Sequence, residues 1–318
     1  MISPQIVCVS ANPAIDTRLR FHSFAAGRIN RAHGVEPFAG GKAAHVAMTA
    51  HALRAATVWL GFLGGATGQE FELHFRELGI ELAGIPTRKA TRRNFELLED
   101  SGRITEVLEP GDRPDQGELH QMLRTLAVGL RSRWHGALVV ISGSLPAGVP
   151  AGFYRSLIAA AKAAGSRVFV DTSGEALGAS LGARPDFVKP NREEAEAVLG
   201  RRLKNRAAVV EAANELIERG AASAAVSLGV EGLVWAERAN GPVWFAHSPR
   251  LRTISTVGCG DAMLAGFALA AIKGMQGEAA IRLATACGAA NCLAKSPGRI
   301  SLKQVKSFIP RVEVSRIG

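Results

Sequence analysis

Aromatic residues are scarce in this 318-residue chain: they make up 6% of it, with a single tyrosine. Burial must therefore rest on Ala, Leu and Val packed in close layers. Cysteine is rare too. Cys8, Cys259, Cys287 and Cys292 have neither zinc-site nor redox-motif spacing, which points to free thiols in an intracellular protein. No run approaches the roughly 20 apolar residues that a membrane span requires. The opening MISPQIVCVSANPAID lacks the charged, apolar and cleavage regions of a signal peptide. A cytoplasmic location without a membrane partner is expected. The net charge is +10, but the basic residues are spread along the chain. The densest run, RKATRR (Arg88 to Arg93), carries no aromatic for base stacking, so no nucleic-acid partner is expected. Attraction of an anionic substrate is the simpler use of the charge.

What is present is an ordinary globular balance, 47% hydrophobic and 21% charged. From about residue 120 an apolar strand, a small-residue turn and an amphipathic helix alternate regularly. ALVVISGS, RVFVDTS, FVKPN and AAVSLG read as strands. AGFYRSLIAAAKAAG, REEAEAVLG, NRAAVVEAANELIERG, DAMLAGFALAAIKG and AAIRLATACGAANCLA read as helices. This rhythm predicts an α/β fold with a mostly parallel sheet covered on both faces. Such sheets bind ligands beyond the carboxyl ends of their strands. Two early segments break the rhythm: IDTRLRF with INRAHGVEPF, and RRNFELLEDSGRITEVLEP, read as polar hairpin strands. They predict a small antiparallel lid, inserted at about 14–38 and 88–110. No repeat or linker interrupts the chain, so residues 1–318 are expected to form a single domain.

The strongest chemical signal is STVGCGDAMLAGFALAA. Gly258 and Gly260 bracket Cys259 just before an apolar-periodic helix, with Asp261 in its first turn. Glycines there let successive N–H groups face one point, and the helix dipole adds positive potential. The result is an anion hole suited to a transferring phosphoryl group, with an aspartate placed to accept a hydroxyl proton. The alternative is a glycine-rich turn with Asp261 as an ordinary cap. In VKPNREEAEAV, Asn191 and Glu194 have capping-box spacing; the same two oxygens could instead organise Mg²⁺, partly through water, with Lys189 reaching a nucleotide phosphate. FAGGKAAHVA places Gly40, Gly41 and Lys42 before a helix. It is not a Walker A loop, because Glu36 stands where the first glycine belongs. It reads either as a polar-ligand entry or as tight helix packing. His45 and His51 read as surface or packing residues.

Taken in order, these motifs resemble the phosphofructokinase-B branch of the ribokinase-like sugar kinases. SANPAID is similar to its first strand, GGKAAHVA to its GGKGxNVA motif, and TRRN (Thr91 to Asn94) to its TRxN segment. SGSLPAGVP, VKPNREE, SLGVEG (Ser227 to Gly232) and STVGCGD complete the series. The resemblance implies a ribokinase-like three-layer sandwich and an ATP-dependent, Mg²⁺-assisted kinase for a sugar phosphate. Asp261 would be the catalytic base, and Gly258, Cys259 and Gly260 the anion hole. Asp16, Arg28, Gly40, Gly41, Lys42, Arg92 and Ser144 would bind the sugar phosphate. Lys189, Asn191, Ser227, Gly229 and Gly232 would serve ATP, with Asn191 and Glu194 serving the metal. A homodimer through the lid is expected on the same basis. A 1-phosphofructokinase-like activity is the first choice, with tagatose-6-phosphate or fructose-6-phosphate kinase as alternatives. A sensor that binds sugar phosphate without catalysis is disfavoured by the intact Asp261 and Gly260. Three departures from the branch stand out: Ala43 for glycine, His45 for asparagine, and Cys259 for alanine, where a near-alanine role is expected.

Overall fold

The computed structural model describes residues 5–318, so the opening MISP lies outside the described residues. In chain order the strands begin with β1 (Ile6–Ser10), β2 (Ala14–Phe21), β3 (Gly34–Gly40), β4 (Thr57–Leu63), β5 (Glu81–Pro86), β6 (Arg92–Glu99) and β7 (Ile104–Leu108). They continue with β8 (Leu138–Ser142), β9 (Val168–Asp171), β10 (Phe187–Val188), β11 (Ala224–Ser227), β12 (Leu233–Ala236), β13 (Val243–Ala246) and β14 (Val314–Arg316). The first five helices are α1 (Lys42–Ala52), α2 (Gly65–Leu78), α3 (Gln116–Arg131), α4 (Gly152–Ala163) and α5 (Gly174–Leu181). The rest are α6 (Arg192–Leu199), α7 (Arg206–Glu218), α8 (Cys259–Ile272), α9 (Gly277–Asn291) and α10 (Leu302–Phe308).

Ten strands form the main sheet in the order β14-β13-β12-β11-β10-β9-β8-β1-β4-β5. The run from β11 to β5 is parallel, and β12, β13 and β14 close one edge antiparallel. Strand alternation makes the two cores. In β1, Ile6 and Cys8 join one core with side chains of α1, α8 and α9, while Val7 and Val9 join the other with α3, α4 and α7. That is the three-layer sandwich, and the predicted helices and strands of the C-terminal half all form. No helix among the described residues is long and apolar enough to cross a membrane.

The lid is a four-stranded sheet in the order β3-β2-β6-β7. It consists of two antiparallel hairpins, as expected, but their shared seam, β2 with β6, runs parallel. The parallel register sets Asp16 beside Asn94 and Arg18 beside Glu96. Arg18 is fully buried and donates from Nε and Nη2 to the Glu96 carboxylate, the shortest contact being 2.8 Å. Ser255 Oγ donates to the same carboxylate at 3.2 Å, and Arg18 Nη1 also donates to the Lys295 carbonyl. Neither residue was singled out by its sequence context. Breaking such a buried pair costs about 3–5 kcal/mol, because the remaining charge is left uncompensated.

Candidate active site

The carboxyl ends of β1, β8, β9 and β10 open beside the lid into a cleft of about 1120 Å³. The strand order reverses at β1, which lies between β8 and β4, and this is where an open α/β sheet places its ligands. Of the residues proposed from sequence, Asp16, Gly41, Lys42, Arg92, Ser144, Lys189, Asn191, Glu194, Ser227, Gly229, Gly258, Cys259, Gly260 and Asp261 line it.

At the amino end of α8, Gly258 adopts φ 77°, and a Cβ there would come 2.7 Å from Pro297 Cβ. Only glycine fits this turn. The amides of Gly258 and Gly260 have no backbone partner among the described residues, whereas that of Cys259 donates to the Thr256 carbonyl at 3.2 Å. Of the three amides expected to form an anion hole, two are thus without a backbone partner and the middle one is engaged by the turn. A Cβ on Gly260 would lie 3.2 Å from Lys189 Nζ, so a buried ammonium stands directly over the helix terminus. Charge and dipole there reinforce one another.

His45 is not a surface residue, nor simply packing. It is 4% exposed, and Nδ1 lies 2.9 Å from Asp261 Oδ2. Its Nε2 is 3.4 Å from Asp16 Oδ2, without the alignment of a hydrogen bond. Burial alone would lower its pKa, but the Asp16 and Asp261 carboxylates outweigh burial and raise it to about 10. Asp16 also accepts from Asn94 Nδ2 at 2.8 Å and from the Gly41 amide at 3.3 Å. Burial opposes its ionisation, yet His45, Asn94 and Gly41 together hold its pKa below the usual carboxylate value. Gly40 does not line the cleft. A Cβ there would strike the Asp16 carboxylate at 2.1 Å, so its role is to admit that side chain.

Lys42 bridges Asp171 at 3.2 Å and Glu194 at 3.0 Å, and Lys189 reaches the other Asp171 oxygen at 2.8 Å. Burial would lower the Lys42 pKa, but the carboxylates of Asp171, Glu194 and Asp261 hold it above its ordinary value. Asp171, read only as the end of a strand, is thus the hub of two cations. Its position at the carboxyl end of a parallel strand was the available signal. Asn191 and Glu194 do form the reciprocal capping box: Asn191 Oδ1 accepts from the Glu194 amide at 2.8 Å, and Glu194 Oε2 accepts from the Asn191 amide at 2.9 Å. The capping interpretation of this spacing is correct, and the same side chains face the cleft.

The Arg92 guanidinium donates to the carbonyls of Pro13, Glu109 and Asn12 at 3.4, 2.6 and 3.0 Å. Three of its five N–H groups are used in orienting it, which leaves two for a ligand. Ser144 Oγ accepts from Asn12 Nδ2 at 3.2 Å, a residue that SANPAID contains but that was not proposed for the site. Arg28 does not meet the others in this chain. It lies in the exposed turn between β2 and β3, where its carbonyl accepts from Asn30, and it does not line the cleft. Gly232 likewise does not line it; with φ 126° it closes the turn against the Ala246 carbonyl.

This arrangement has counterparts. Residues 4–304 match the family described as pfkB family carbohydrate kinase. The chain is 37% identical to 1-phosphofructokinase of Xanthomonas campestris pv. campestris, over 99% of this chain and 100% of that one. Phosphofructokinase-2 from Escherichia coli, solved in complex with substrates and products, superposes with a TM-score of 0.89 at 28% identity, covering 96% of this chain and 98% of that one. Arabidopsis thaliana ribokinase shares the fold, with a TM-score of 0.76 at 20% identity over 97% and 99% of the two chains. The chain belongs to the pfkB family of carbohydrate kinases and is an ATP-dependent sugar kinase of ribokinase-like fold.

Proposed function

We propose that the chain transfers the γ-phosphoryl group of ATP to a hydroxyl of a ketohexose phosphate, in the manner of a 1-phosphofructokinase. The observation that carries this reading is the juxtaposition of Asp261, two free amides and the Lys189 ammonium at one helix terminus, on the floor of a cleft roofed by Arg92 and Asp16. Asp261 Oδ2 is held by His45, so its other oxygen is the one available to align the acceptor hydroxyl and receive its proton. The amides of Gly258 and Gly260, with Lys189, take up charge on the transferring group. Arg92 offers a planar, pre-oriented donor pair for the sugar's own phosphate, and Lys42, Asp16 and Ser144 face the same end. Ser227 and Gly229 border the nucleotide end.

Mg²⁺ fits the oxygen donors on the cleft wall. Asn191 and Glu194 already hold one another and Lys42, which suits an ion that keeps most of its water and is held through it. Bound there, it would neutralise phosphate charge. The lid bears exposed Ile29, Val35, Val107 and Leu108, an apolar surface that a second copy would cover. The free thiols of all four cysteines accord with a cytoplasmic enzyme.

A coupled ADP-release assay over fructose-1-phosphate, fructose-6-phosphate, tagatose-6-phosphate and free hexoses tests the reading. Fructose-1-phosphate is expected to have the highest kcat/KM. Equal turnover of free hexoses would overturn the sugar-phosphate assignment.

A further inference from the structure

Cys259 and Cys292 are 33 residues apart in sequence, yet their Sγ atoms lie 3.1 Å apart. Cys259 opens α8 inside the anion-hole turn, and Cys292 follows the last residue of α9. Both border the cleft and are partly exposed, whereas Cys8 and Cys287 are fully buried. The pair is also anchored. The Cys292 carbonyl accepts from the Ile254 amide at 2.8 Å, and Asn291 Nδ2 donates to the Val257 carbonyl at 2.8 Å while lying 3.5 Å from Cys259 Sγ. The segment leading into α8 is therefore fastened to the end of α9 before any bond forms between the sulfurs.

We propose that Cys259 and Cys292 are a peroxide-sensitive thiol pair whose disulfide disarms the anion hole. A disulfide needs its sulfurs about 2.05 Å apart, so closure moves them together by about 1 Å. Either sulfur can donate across the 3.1 Å contact; contact with Cys259 favours the Cys292 thiolate, while the same contact and burial disfavour that of Cys259. The Cys292 thiolate attacks one oxygen of hydrogen peroxide, the O–O bond breaks, and hydroxide leaves with the electron pair. The Cys292 sulfenic acid that results is then attacked by Cys259 sulfur. The S–S bond forms, the S–O bond breaks, and the Cys259 proton leaves with the departing hydroxide as water. Two thiols and one peroxide thus give one disulfide and two waters. Drawing Cys259 towards Cys292 turns the first residues of α8, and with them the Gly260 amide and Asp261.

The test uses the full-length protein and hydrogen peroxide. The wild type is expected to lose at least about tenfold in kcat, since loss of even one aligned donor to a developing charge costs more than that. Non-reducing peptide mapping should link Cys259 to Cys292, and dithiothreitol should restore activity. Cys292→Ala and Cys292→Ser should keep basal turnover and resist the same treatment. Cys8 and Cys287, whose thiols burial makes harder to ionise, should remain unmodified. Equal inactivation of the Cys292 variants, a linked pair with unchanged kcat, or peroxide treatment that yields no link would each overturn the proposal.

Discussion

His45 Nδ1 stands 2.9 Å from Asp261 Oδ2, and the opposite ring nitrogen faces Asp16, so one buried imidazole joins two carboxylates of the cleft. With a folded-state pKa of about 10, the ring is an imidazolium at neutral pH. It then balances one of two neighbouring negative charges.

The ring makes stability depend on pH. Its pKa rises from 6.5 to about 10 on folding, so the native state holds the extra proton between those values. The stabilisation is complete below about pH 6.5 and falls as pH rises towards 10, by up to roughly 1.4 kcal/mol per unit. Thermal denaturation from pH 7 to 10 should show this decline in the wild type, and His45→Asn should flatten it. A wild type and variant with the same slope would mean that the ring is neutral.

Asp261→Asn should lower kcat by at least about a hundredfold, the range of general-base catalysis. Binding of sugar phosphate and ATP, measured by calorimetry, should survive. Near-normal turnover would remove Asp261 from the chemistry.

Arg92→Ala should raise KM for the phosphorylated sugar by roughly ten- to a hundredfold, the equivalent of one charge-assisted hydrogen bond. KM for ATP should hardly change. Arg93 is the control on the other face of β6. Its guanidinium pairs with Glu70 at 2.7 Å, half exposed, so Arg93→Ala should cost about 0–1 kcal/mol of stability and leave KM alone. Matching KM changes in the two variants would misassign the phosphate contact.

Glu194→Gln should raise the Mg²⁺ concentration for half-maximal rate several-fold, since a carboxylate near the metal becomes neutral. Titrating Mg²⁺ in the coupled assay checks this. A variant that loses about 0.5–2 kcal/mol of thermal stability with unchanged Mg²⁺ dependence would confine Glu194 to its cap and its ion pair with Lys42.

Legibility in the sequence followed the range of the interactions. STVGCGD, VKPNREE and the C-terminal strand–helix rhythm were readable because local turn and cap chemistry dictates them, as the positive φ of Gly258 and the Asn191–Glu194 box attest. The hairpins of the lid were readable from alternation, but the parallel seam was not, since residues 22–91 separate β2 from β6. Asp171 passed for a strand end until Lys42 and Lys189 converged on it. The contacts of His45 with Asp261 and of Cys259 with Cys292 were not legible because each depends on a partner remote in the chain. Arg28 had only the family resemblance behind it, and its turn is exposed in this chain.

The Arg18–Glu96 pair sets where the roof over the cleft can bend. Its guanidinium and carboxylate join the two inner lid strands to each other, and through Ser255 and the Lys295 carbonyl to the body. Swinging all four strands away together would leave that pair intact but break both ties to the body, at about 1.5–3 kcal/mol for each hydrogen bond to a charged group. Breathing is cheaper at β7 and at the first half of β3, where exposed residues predominate. The roof is thus anchored along its middle and loosest along its two edges.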